Sequence, residues 1–119
     1  MREAIEKAIG YLANHKGYKI IDFTKPPDGS LTFPHYIYDE EVYDLIHLIN
    51  SGIRDDNYNG FAGDIQNVKN IPINEMSMGN VKTYLTFIVR TERFCGGLIA
   101  EHINNGILVE LLSRFIKLH

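Results

Sequence analysis

The chain predicts a single, mainly helical domain of about five helices, with at most one short β-hairpin between residues 18 and 38. Three observations carry that prediction. Apolar residues recur at three- and four-residue spacings near the N-terminus, in the middle and through the last third. Glycine, proline and asparagine punctuate these segments. The length of 119 residues suits one domain spanning 1–119, which buries roughly two-thirds of its unfolded surface and needs no metal or disulfide to fold.

Residues 2–14 read as the first helix, because Ile5, Ile9 and Leu12 share a face while Glu3, Glu6 and Lys7 occupy others. Gly17 marks its end. Residues 18–23 (Tyr-Lys-Ile-Ile-Asp-Phe) form a strand candidate rich in aromatic and β-branched side chains. Lys25-Pro26-Pro27-Asp28-Gly29 is turn chemistry. Residues 31–38 are extended by composition, and Pro34 restricts them to an edge strand or an irregular segment.

Asp39 suits an N-cap for the second helix, with Glu40 and Glu41 at its positive end. Val42, Leu45, Ile46 and Ile49 make its apolar stripe, and Gly52 fits the C′ position. Residues 54–80 are polar and weakly periodic, which predicts a long loop with one helical turn near residues 65–68. From about Asn80 the pattern tightens. Val81, Tyr84, Leu85 and Ile88 form one face of a third helix, broken at Gly96-Gly97. Leu98, Ile99, His102 and Ile103 form a short fourth helix, closed by Asn105-Gly106. Residues 107–118 form a fifth, with Leu108, Leu111, Leu112, Phe115 and Ile116 on a wide apolar face. The span 81–118 thus reads as a C-terminal helical subunit, and its last helix as the central or interface element.

The formal net charge of −3 gives no bulk attraction to nucleic acid or to anionic membranes. The single cysteine, Cys95, excludes an intrachain disulfide and fits a reducing compartment. The charged N-terminus has no apolar leader, and no run approaches the roughly 20 apolar residues that span a bilayer. A cytoplasmic protein with no membrane partner is expected.

The joint at residues 90–98 is the best site candidate. Arg90 and Arg93 lie three apart and share a helix face. Gly96 and Gly97 permit left-handed or nest backbone whose N–H groups bind anions. The same residues also suit a purely structural role: arginines capping the third helix and pairing with Glu92 or Glu101, glycines making a sharp turn. Cys95 admits a nucleophile reading with His102 as its base, but its apolar neighbourhood and the lack of a cysteine-hydrolase signature favour a small buried hydrophobe.

The five histidines show no i, i+4 pair and no accompanying Cys-x-x-Cys, so no metal site is expected, and no motif calls for a cofactor. Asp55, Asn57, Asn59 and Gly60 match the start of a calcium loop, yet Gln66 stands where a bidentate carboxylate is required. A solvated Asn/Asp/Gly loop is the better reading. Phe33, Tyr36, Tyr38 and Tyr43, with Tyr58 and Phe61, either line a groove or close the top of a helical core. Residues 81–118 have the outline of a helix-turn-helix, but the last helix offers only Arg114 and Lys117 beside its apolar face, which argues against nucleic acid as a partner.

The C-terminal pattern of Thr86, Arg90, Arg93, Phe94, Gly97, Gly106, Leu111, Leu112 and Arg114 resembles a family of small bacterial proteins of unknown function. Asp28-Gly29, the aromatic segment 33–38 and the helix over 42–49 match it more loosely. The resemblance implies a small, mostly helical, cytoplasmic bacterial protein and supplies no catalytic residues.

Three functions follow, in order of preference. The first is a non-enzymatic binding or interaction module with an unknown protein partner, a second copy joined through the C-terminal helices included. The second is a binder of small anions or nucleotide phosphates at Arg90, Arg93, Gly96 and Gly97. The third is a cysteine-dependent enzyme using Cys95 and His102.

Overall fold

The computed structural model describes residues 2–21, 35–53, 62–94 and 96–119. The expected Lys25–Gly29 turn, Phe33, Pro34, the Asp55–Gly60 loop, Tyr58, Phe61 and Cys95 lie outside the described residues. The fold is mainly α, as the periodicity predicts. Its elements run α1 (Arg2–Asn14), β1 (Tyr18–Ile21), β2 (His35–Tyr38), α2 (Glu40–Leu48), a π-type turn (Ile49–Ile53), α3 (Ala62–Lys69), a 3-10 turn (Ile73–Glu75), α4 (Met78–Glu92), α5 (Leu98–Asn104) and α6 (Ile107–Leu118). No helix among the described residues is long and apolar enough to cross a membrane.

α6 sits at the centre. Leu108, Leu111, Leu112 and Phe115 recur along one face and are all buried. That face packs against α1, α4, α5 and the 3-10 turn. The other helices each contribute a narrower stripe: Ile5 from α1, Val42 and Leu45 from α2, and Val81, Tyr84, Leu85, Ile88 and Val89 from α4. The apolar face of the last helix is therefore turned inward.

β1 and β2 pair antiparallel with Tyr18 opposite Tyr38 and Ile20 opposite Tyr36. Alternation along each strand puts these four side chains on one face. At the core end Tyr18 and Tyr38 are buried; at the other end Ile20 is 46% exposed.

The stretch 54–80 contains a helix of eight residues, α3, where a single turn was expected. Gly63, Asp64 and Asn67 weaken its helical signal, and it is held by tertiary packing instead. Ile65 and Val68 are buried against α4, and Lys69 Nζ lies 4.4 Å from the centre of the Phe87 ring on α4. α4 also begins earlier than expected, because Ser77 and Asn80 form a reciprocal cap: the Ser77 hydroxyl accepts from Asn80 N (3.2 Å) and Asn80 Oδ1 accepts from Ser77 N (3.0 Å).

Asp39 stands at the N-cap of α2 in extended conformation, but its side chain does not cap. It accepts a hydrogen bond from the Tyr11 hydroxyl instead, tying α1 to the start of α2. That carboxylate beside the phenol pushes the Tyr11 pKa up to about 12. Gly52, expected just beyond α2, lies inside the π-type turn that extends it.

Candidate binding site

The joint between α4 and α5 is built around a carboxylate. Glu92 ends α4, and its side chain turns toward the start of α5. Oε1 accepts from Ile99 N at 2.7 Å and from the Tyr38 hydroxyl at 2.8 Å. Oε2 accepts from Gly97 N at 2.8 Å. The Tyr38 oxygen in turn accepts from Ala100 N at 3.3 Å. Two side chains thus satisfy amides that the first turn of α5 leaves without an intrahelical carbonyl.

The arrangement depends on Gly97. Its φ is +96°, a region that favours glycine, and a Cβ there would lie 2.6 Å from the Tyr36 ring. The Tyr36 ring therefore packs directly on the backbone of the joint. Sequence reasoning anticipated amides aimed at an anion here. The structure places the Glu92 carboxylate in front of those of Gly97 and Ile99. Arg90 is half-buried, and Arg93 and Gly96 are exposed.

Burial, then the bond to Glu92 and its charge, raise the Tyr38 pKa far above the ordinary tyrosine range. The proton is therefore held more tightly in the folded than in the unfolded chain. The resulting stability is complete below the unfolded tyrosine value of about 10 and is lost as pH rises beyond it. Urea denaturation at pH 8 and again above pH 10 should show a steeper loss for wild type than for Tyr38→Phe. Parallel losses would contradict this role for the phenol.

His102 is buried on α5. Its Nδ1–H donates to the Leu98 carbonyl at 2.8 Å, and its ring meets Tyr84 edge-on with centroids 5.9 Å apart. The Tyr84 phenol is itself raised in pKa, first by burial and then by the charge of Glu101. Among the described residues, no cluster of three or more His, Cys, Asp or Glu is arranged to hold a metal ion.

Beside the joint lies an open groove of about 660 Å³. Tyr18, Ile20 and Tyr36 line it from the strands, and Gly97, Leu98 and Asn104 from the helix side. Asn104 Nδ2 donates to the Tyr18 hydroxyl at 2.6 Å, which fixes both ends of the wall. Lys16 Nζ covers the Tyr18 ring at 4.8 Å, and Glu101 adds a carboxylate at the edge. Two separately noted features, the glycine joint and the tyrosine segment, thus share one surface. Arg90 and Arg93 do not line it.

One further residue stands out by exposure. Phe94, in the turn between α4 and α5, is 87% exposed. The sequence marks it only as part of the Arg93-Phe94 pair. Glu92 carried no signal beyond its charge, because its key partner, Tyr38, is 54 positions away.

Comparison with known families matches residues 2–119 to a family of unknown function, DUF6508. No curated protein and no solved structure matches the chain.

Proposed function

The chain belongs to the DUF6508 family, a family of unknown function, and from that premise we propose that it is a non-enzymatic binding module whose recognition face is the turn at Phe94 together with the neighbouring tyrosine-lined groove. The observation that carries this reading is the Phe94 ring, held 87% in water two residues from a glycine of the groove wall. Leaving an aromatic ring of that size in water forgoes on the order of 1.5–3 kcal/mol of burial. Aromatic side chains are also the groups on which interface energy concentrates. The groove beside it supplies tyrosine rings on a backbone fixed by Glu92, a preorganised surface that loses little entropy on contact.

The partner in this reading is a protein chain, a second copy included, in a bacterial cytoplasm. Among the described residues, Phe94 and Ile20 are the exposed large apolar side chains at this surface. A displayed peptide library selected against the wild-type chain tests the proposal, with Phe94→Ala as the counter-target. Phe94→Ala should melt like wild type, because its ring touches little. Enriched peptides should lose binding to that variant and shift the amides of Gly96, Gly97 and Asn104. Failure to enrich, or peptides that bind both proteins equally and shift amides elsewhere, would overturn the proposal. Light scattering of wild type and Phe94→Ala reports whether a second copy is such a partner.

A further inference from the structure

A second depression lies on another part of the molecule, between the segment 71–74 and the outer side of α6. Its volume is about 600 Å³, within the roughly 300–1,000 Å³ that small-molecule sites occupy. Ile71, Ile73 and Val109 form a half-buried apolar floor. Arg114 and Lys117, three apart on α6, stand together at the wall. Arg114 Nε donates to the Met76 carbonyl at 3.0 Å, which fixes the guanidinium plane and leaves its Nη groups to face a ligand. Among the described residues Glu110 is the one carboxylate lining the cleft. No ion pair joins Glu110 to Arg114 or to Lys117.

From this we infer that the cleft binds a small amphipathic monocarboxylate, its apolar tail on Ile71, Ile73 and Val109 and its carboxylate between Arg114 and Lys117. A planar carboxylate matches the guanidinium fork. The cleft carries a net single positive charge, two cations against one anion, which suits a monoanion better than a dianionic phosphate. Asn74 and Ser113 also line the cleft, but the surface formed by Ile71, Ile73 and Val109 is apolar, so the part of the ligand that lies on it is hydrocarbon. This site is separate from the Phe94 surface and does not depend on the reading given above.

The test is an amide-resolved NMR titration of the full chain with octanoate, alongside 1-octanol (tail without charge) and acetate (charge without tail). Octanoate should shift the amides of Ile73, Asn74, Val109 and Ser113 in a saturable way, and both controls should bind at least about tenfold more weakly. Lys117→Glu should weaken octanoate by about tenfold. The Lys117 side chain is exposed and makes no hydrogen bond or ion pair among the described residues, so the variant should melt like wild type. Arg114 is a poorer choice, since its bond to Met76 is structural. Octanol binding as tightly as octanoate, an unchanged affinity in Lys117→Glu, or shifts scattered outside the cleft would each overturn the inference.

Discussion

Replacing Leu111 with alanine is expected to lower the free energy of unfolding by on the order of 3–5 kcal/mol. Leu111 is completely buried, as is its neighbour Leu112. The size of the effect depends on how far the surroundings can close over the lost methyl groups. Here α6 is gripped by α1, α4, α5 and the 3-10 turn, so no single element can move in without leaving the others. The cavity should therefore persist and the cost should lie toward the upper end. A domain of ordinary stability has roughly 5–15 kcal/mol in total, so this variant should sit close to its unfolding threshold. Urea denaturation with an unchanged m-value provides the measurement. A loss below about 1.5 kcal/mol would show that α6 is not the centre of the core.

Removing the Glu92 side chain should be the most damaging polar change, at about 3 kcal/mol for Glu92→Ala. The variant strips acceptors from two backbone amides and one phenol at once, in a part-buried joint where water replaces them imperfectly. Glu92→Gln should fall between wild type and alanine. Its remaining oxygen can still serve Ile99 and Tyr38, while its NH₂ would confront the Gly97 amide. A double-mutant cycle of Glu92→Ala with Tyr38→Phe should give a coupling of about 1–2 kcal/mol, because both side chains serve one network. Additive losses from the two changes would mean that the Tyr38–Glu92 bond carries no coupling energy.

The helical architecture was readable because most of it rests on local pattern. The stripes of α1, α2, α4 and α6 recur at helical spacing, and Gly97 and Gly106 sit at the breaks that separate the last three helices. α3 was readable only as a single turn near residues 65–68, since Gly63, Asp64 and Asn67 resemble a loop and contact with α4 extends the helix. The cap of α4 was missed for a related reason: its reciprocal partner is Asn80, where a glutamate or glutamine is the usual signal. At the candidate site, the glycines and tyrosines were identifiable as residue types suited to a turn or a groove. Their convergence was not, because Tyr36 meets Gly97 across a separation that no periodicity encodes. The role of Glu92 was hidden similarly, and Phe94 reads from sequence like any core aromatic.

The bond between Tyr38 and Glu92 has a consequence for the order in which the chain assembles. A helix of seven residues, the length of α5, has little persistence in water by itself. The phenol that steadies its first turn arrives only after a chain loop of 54 positions has closed. α4 and α6 can dock early on their apolar faces, whereas α5 has to wait for the second strand. Amides 97–104 should therefore gain protection from deuterium exchange together with residues 35–38 during refolding, later than those of the two long helices on either side.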